Sequence, residues 1–81
     1  MTESLSKSRR VIGVKQTTRA IREGTAAQVF LADDAETRLT DPVRQLCREN
    51  GIPMTEVESM RALGRACGIG VGASSAALLR D

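Results

Sequence analysis

The chain has 81 residues, a length that fits one domain and buries about 60–65% of its unfolded surface. Hydrophobic residues make up 41%, a globular composition, and no apolar run reaches the roughly 18 residues needed to span a bilayer. There is no His, Trp or Tyr, and Phe30 is the one aromatic residue, so the commonest general base, the commonest metal ligand and an aromatic base-stacking platform are all missing.

Net charge is only +2, but it is unevenly spread. Residues 1–24 carry a net +4, residues 25–58 a net −4, and residues 59–81 a net +2. Two basic segments thus flank an acidic middle. Brought together by the fold, they would present one basic face to a polyanion; kept apart, they are solvated helix faces.

In chain order, residues 4–9 are expected to form a short helix capped by Ser4. Val11 and Ile12 read as a very short strand ending at Gly13. Residues 15–23 read as a helix with Thr17, Ala20 and Ile21 on one face and Gly24 as its left-handed stop. Gln28–Ala32 is rich in β-formers and reads as a buried strand, followed by a polar loop over 33–40. Asp41 is the expected N-cap of the next helix, Pro42 its first residue, and Val43, Leu46 and Cys47 its apolar stripe, up to Asn50-Gly51. A strand is expected over Met54–Glu58. Ser59 then caps a helix with the stripe Met60, Leu63, Ala66 and Cys67, ended by Gly68. A glycine-rich loop over 68–72 leads to a last strand at 74–79. Alternating strands and helices predict an α/β fold: a single-domain, three-layer α/β/α sandwich over residues 1–81 with a small mixed sheet. Cys47 and Cys67 form no CxxC pair and fall in apolar patterns, so they read as small buried hydrophobes in a reducing compartment. The expected location is the cytoplasm.

Three segments carry candidate chemistry. Asp33, Asp34 and Glu36 follow a strand, where three acids could hold Mg²⁺ or act as an acid/base pair; the plain alternative is a solvated acidic loop. The loop Gly68-Ile69-Gly70-Val71-Gly72 runs from helix to strand, the reverse of a dinucleotide fingerprint, and no Walker Lys-Ser/Thr follows it. It permits close backbone approach to a partner, or is a flexible connection. The third is the helix opening at Gly13-Val14-Lys15-Gln16-Thr17-Thr18-Arg19. Helix N-termini attract phosphate, and Lys15, unfavourable beside the helix dipole, makes sense with an anion nearby. Lys15 and Gln16 can also read base edges.

The segments Gly13–Gly24 (GVKQTTRAIREG) and Val57–Ser74 (VESMRALGRACGIGVGAS) supply a further signal. The first resembles the G-x-N-E-x-T-K-x-x-x-x-G signature of the kink-turn-binding ribosomal protein family of the archaeal L-seven-Ae type. The second resembles that family's other signature, above all in Leu63–Ile69 (LGRACGI). The likeness covers about residues 10–80 and is greatest to the bacterial YbxF type.

The resemblance implies an α/β/α sandwich that binds RNA kink-turns without enzymatic activity, metal or cofactor. Its partner would be structured RNA containing a kink-turn, in ribosomal RNA or a riboswitch, with the ribosome as a further candidate partner, no membrane, and a monomeric state. The helix at Gly13, Val14, Lys15, Gln16, Thr17 and Arg19 would enter the groove widened by tandem sheared G·A pairs. Ile69, Gly70, Val71 and Gly72 would pack on the extruded bulge nucleotide, with Glu36 beside its pocket. Lys15-Gln16 stands where the family has Asn-Glu, Arg19 where it has Lys, and Met60 where some members carry a pocket-lining Lys, with Arg61 as the neighbouring cation. The alternative is a ribosome-associated protein-interaction module on the same fold, without kink-turn specificity.

Overall fold

The computed structural model describes residues 9–80. Its elements, in chain order, are β1 (Arg10–Ile12), α1 (Val14–Arg22), β2 (Ala26–Ala32), α2 (Thr37–Asn50), β3 (Met54–Val57), α3 (Met60–Ala66) and β4 (Ser75–Leu79). The helix expected over residues 4–9 lies outside the described residues.

The four strands form one mixed sheet in the order β1-β4-β2-β3. β2 and β3 run parallel, which a crossover through α2 permits, whereas β4 runs antiparallel to both β1 and β2. The strand pleat sorts the core into two layers. Val29 and Leu31 of β2, with Ala77 of β4, join Ile21 of α1 and Val43 and Cys47 of α2 on one face. Phe30 and Ala32, with Ala76, join Leu63 and Cys67 of α3 on the other. This is the expected sandwich: α1 and α2 on one side, the sheet, and α3 on the far side. Both cysteines are free and fully buried. Burial pushes each thiol above its usual pKa, with the Arg10 charge opposing the shift at Cys67.

Most boundaries fall within two residues of expectation. The start of α2 is the exception. The helix begins at Thr37, so Pro42 lies inside it and Asp41 is not its cap. The Glu36 carbonyl accepts the N–H groups of Leu39 (3.0 Å) and Thr40 (3.2 Å), closing a full turn ahead of the Asp-Pro pair. Proline costs the helix one backbone bond. Tertiary burial offsets that cost, because the added turn takes Thr40 into the interior, 1% exposed. Asp41 serves instead as an ion-pair partner of Arg44, 3.2 Å away. Met60, expected on the buried stripe of α3, is 37% exposed and lies at the edge of that stripe.

Candidate nucleic-acid interface

The sheet has one chemically rich end. β1, β2 and β3 finish there and β4 begins there, so α1, the loop 33–36, the start of α3 and the loop 68–74 all leave from the same rim. Backbone bonds stitch them together: Gly13 N–H to the Ser75 carbonyl at 2.8 Å, Ala32 N–H to Ser74 at 3.0 Å, and Asp33 N–H to Val57 at 2.8 Å. The two segments that carry the family likeness, 33 residues apart at their nearest ends, become neighbours through the first of these bonds, which joins Gly13 to the residue after Ser74.

Gly13 is the N-cap of α1 at φ 107°, a conformation that glycine adopts freely and other residues rarely. No side chain caps this helix and no acid lies in its first turn, so its leading amides face outward without a negative partner. Lys15, Gln16 and Arg19 are exposed on its outer side. Lys15, Thr18, Arg19, Arg22 and Glu23 line an open groove of about 420 Å³ along it. Val14 is half-buried against the core. Thr17 is fully buried, so its side chain lies beneath this surface, and half-buried Thr18 stands on the groove in its place.

The loop after α3 is held by its own helix. Ile69 N–H donates to the Gly64 carbonyl and Ala73 N–H to that of Met60, each at 3.0 Å. Between these bonds the loop backbone lies directly on Gly64. A Cβ there would be driven into the Val71 carbonyl oxygen and would stand 3.1 Å from the Gly72 Cα. Gly68, at φ 79°, turns the chain out of the helix. Ile69 is half-buried against the core, while Gly70, Gly72 and Val71 (72% exposed) face outward. Arg10 anchors the helix end from the sheet: its Nε and Nη2 donate to the Cys67 carbonyl at 3.1 and 2.7 Å. Arg61 is exposed and shares a cleft with this loop.

The acidic loop is occupied with structural bonds. The Asp34 Oδ1 accepts the Met60 N–H at 2.7 Å and thereby helps to start α3. Glu36 pairs with Arg38 at 2.8 Å on the surface. A hydrogen bond to Glu56, with some desolvation and like-charge repulsion, holds the Asp33 carboxyl above its usual pKa. The Arg44 guanidinium, 2.8 Å from Glu56, holds that carboxyl below its usual range. Among the described residues no group of three His, Cys, Asp or Glu side chains is placed to hold a metal ion, and no helix is long and apolar enough to cross a membrane.

Charge pairing separates the surfaces. Every ion pair among the described residues involves Arg38 or Arg44 in the acidic middle of the chain. The cations of α1 and α3 have no such partner among the described residues. Sequence reasoning overlooked Arg65, the seating role of Gly64, the anchoring role of Arg10 and the bond by which Asp34 holds the start of α3. A glycine inside a helix is the one local signal among them; the Asp34 and Arg10 bonds span 26 and 57 residues.

The profile of the ribosomal protein L7Ae/L30e/S12e/Gadd45 family matches residues 2–81. The chain belongs to this family. It is 43% identical over 76 residues to an RNA-binding protein of Geobacillus sp. (strain WCH70), covering 94% of this chain and 93% of that one. It is 47% identical over 70 residues to the RNA-binding protein YbxF of Geobacillus stearothermophilus, covering 86% and 85%. Among solved structures, a Giardia lamblia 15.5 kD RNA-binding protein superposes with a TM-score of 0.88 at 25% identity, over 99% of this chain and 68% of that one. A Bacillus halodurans protein of unknown function shares the fold, with a TM-score of 0.87 at 22% identity over 98% and 83%.

Proposed function

We propose that the chain is a non-enzymatic RNA-binding protein that recognises kink-turns and stabilises their bent form. One observation carries the reading: the open, cationic N-terminal turn of α1 and the exposed loop 69–72 meet at one end of the sheet, tied by the 2.8 Å bond from Gly13 to Ser75. The cations around them, without ion-pair partners among the described residues, suit a polyanion, and the relatives' names as RNA-binding proteins support the same class of partner.

In this reading the first turn of α1 enters a widened groove. An ordinary A-form major groove is too narrow for a helix, but sheared G·A pairs in a bent duplex open it. The free amides of α1, Lys15 and Arg19 take neighbouring phosphates. Gln16 offers both an acceptor and a donor to a guanine edge. Ile69 and Val71 supply apolar surface to the unstacked nucleotide. Binding only the bent RNA shifts its equilibrium by the difference in affinity for the bent and extended states. The RNA would be ribosomal RNA or a riboswitch.

The test compares a kink-turn RNA with a control whose G·A pairs are replaced by Watson–Crick pairs. Wild type should prefer the kink-turn. Gln16→Ala should lose roughly 1–3 kcal/mol on the kink-turn, little on the control, and leave the salt dependence unchanged because no charge is removed. Equal binding of both RNAs by the wild type would reject kink-turn recognition and favour an interaction module on this fold.

A further inference from the structure

We propose that Lys15 is a modification site, a lysine that takes an acyl group from an acyl phosphate and thereby weakens RNA binding at α1; the inference rests on the RNA-binding reading above. Only Lys7 and Lys15 of the chain's 12 cationic side chains are lysines. The distinction is chemical. An arginine guanidinium keeps its proton and offers no lone pair to an acyl group, whereas a lysine amine is open to acetylation. Lys15 is the one amine side chain among the described residues, and it stands exposed on the first turn of α1. It has no ion-pair partner among those residues. The other strong nucleophiles do not compete. The thiols of Cys47 and Cys67 are fully buried, and burial pushes their pKa values up.

The surroundings favour an anionic acyl donor. Lys15 shares its open groove with Arg19 and Arg22, one and two turns further along α1, and Glu23 is the one acid among the described residues that line it. A cleft dominated by one sign of charge raises the local concentration of ligands of the other sign. An acyl phosphate carries its negative charge on the phosphoryl group, which guanidinium groups match, and leaves its carbonyl carbon free for attack. The Lys15 amine, having given its extra proton to water, donates its lone pair to that carbon. The bond from the carbon to the bridging oxygen breaks, and phosphate leaves with the electron pair and accepts one amine proton. The products are a neutral amide and hydrogen phosphate, so the step needs no oxidant or reductant. It removes one positive charge from the surface that meets RNA. RNA seated on the first turn of α1 covers the same amine, so RNA and acyl donor exclude each other.

The full chain is incubated with acetyl phosphate, alone or with kink-turn RNA, and peptide mass spectrometry locates the acetyl groups. Lys15 should be acetylated in the free chain, and saturating kink-turn RNA should slow its modification at least about fivefold. Arg22→Gln should slow acetylation of Lys15 by acetyl phosphate roughly two- to threefold, but not by acetic anhydride, which is neutral. Protein acetylated at Lys15 should bind kink-turn RNA roughly three- to tenfold more weakly at moderate salt, with the slope of log K against log salt lower by about 0.7–0.9, one phosphate contact. Lys15→Arg keeps the charge and has no amine to modify. Whatever its own affinity, that affinity should be the same before and after acetyl phosphate treatment.

If acetyl groups appear only on other amines of the chain, or if the Lys15-acetylated protein binds kink-turn RNA as tightly as before, the modification switch is overturned and kink-turn recognition stands. An equal loss of affinity in treated Lys15→Arg would assign the effect to another amine and overturn it too. Equal slowing of both donors by Arg22→Gln would overturn the role of the groove in drawing in an anionic donor. If the wild type binds the kink-turn and its Watson–Crick control equally well and acetylation weakens both, the switch stands and kink-turn recognition fails. Failure to bind either RNA overturns both.

Discussion

Gly64→Ala tests whether loop position, rather than loop sequence, governs RNA binding. The added methyl would collide with the Val71 carbonyl oxygen, with the Val71 carbonyl carbon 3.0 Å and the Gly72 Cα 3.1 Å away. Relief requires the loop to withdraw by about an ångström, because the atoms it meets are backbone and no rotamer change can clear them. The movement strains the bonds that bracket the contact, Ile69 to Gly64 and Ala73 to Met60. Overpacking of this kind costs about 1–3 kcal/mol. Alanine in place of a helical glycine returns about 1 kcal/mol. The net loss of stability is therefore about 0–2 kcal/mol, within reach of a folded protein. RNA affinity should fall further, at least about tenfold, since a contact surface displaced by an ångström no longer meets its partner. Chemical denaturation gives the first quantity and fluorescence anisotropy with a kink-turn RNA the second. Gly70→Ala is the stability control: its Cβ meets open space within the protein, so the denaturation midpoint should stay near wild type. Full RNA affinity in a folded Gly64→Ala protein would show that the loop's seat on α3 does not control RNA binding.

Asp33→Asn should raise the thermal midpoint slightly at pH 7. The folded state holds the Asp33 proton more tightly than the unfolded chain does, so ionisation at neutral pH costs the fold, and the amide removes that cost. The gain should vanish below the unfolded carboxylate pKa, near 4, where Asp33 is protonated in both states; a gain independent of pH would contradict this origin. Cys47 and Cys67, fully buried with raised pKa values, should react with iodoacetamide slowly in the native protein and fast in guanidinium. Rapid native alkylation of either would show that its helix opens locally.

Local sequence signals read the elements well where the chemistry is local. Gly51 at φ 65° stops α2, and the Ser59 hydroxyl accepts the Ala62 N–H at 3.0 Å to start α3, as residue type and spacing imply. The start of α2 differs from expectation because Asp41-Pro42 looks like a cap followed by a first residue. The extra turn forms only because folding buries Thr40, a gain that no window of local sequence contains. The acidic loop was ambiguous for the same reason. Asp34 acts as an acceptor for Met60, 26 residues on, and Glu56 crowds Asp33 from the adjacent strand.

The fold class and the candidate segments are legible in short stretches of chain, because hydrophobic periodicity, caps and the two family-like segments are written in neighbouring residues. Which of their groups are accessible depends on the assembled fold. It buries Thr17 under the surface that Lys15 and Gln16 occupy, bonds Arg10 to the Cys67 carbonyl, and exposes Arg65 beside the loop with no ion-pair partner among the described residues. It also turned Gly64 from an unfavourable helix residue into the seat of that loop. The physical reason is range. Helix and strand preferences act over a few residues, whereas burial, charge pairing and backbone contact depend on which distant segments the sheet brings to one rim.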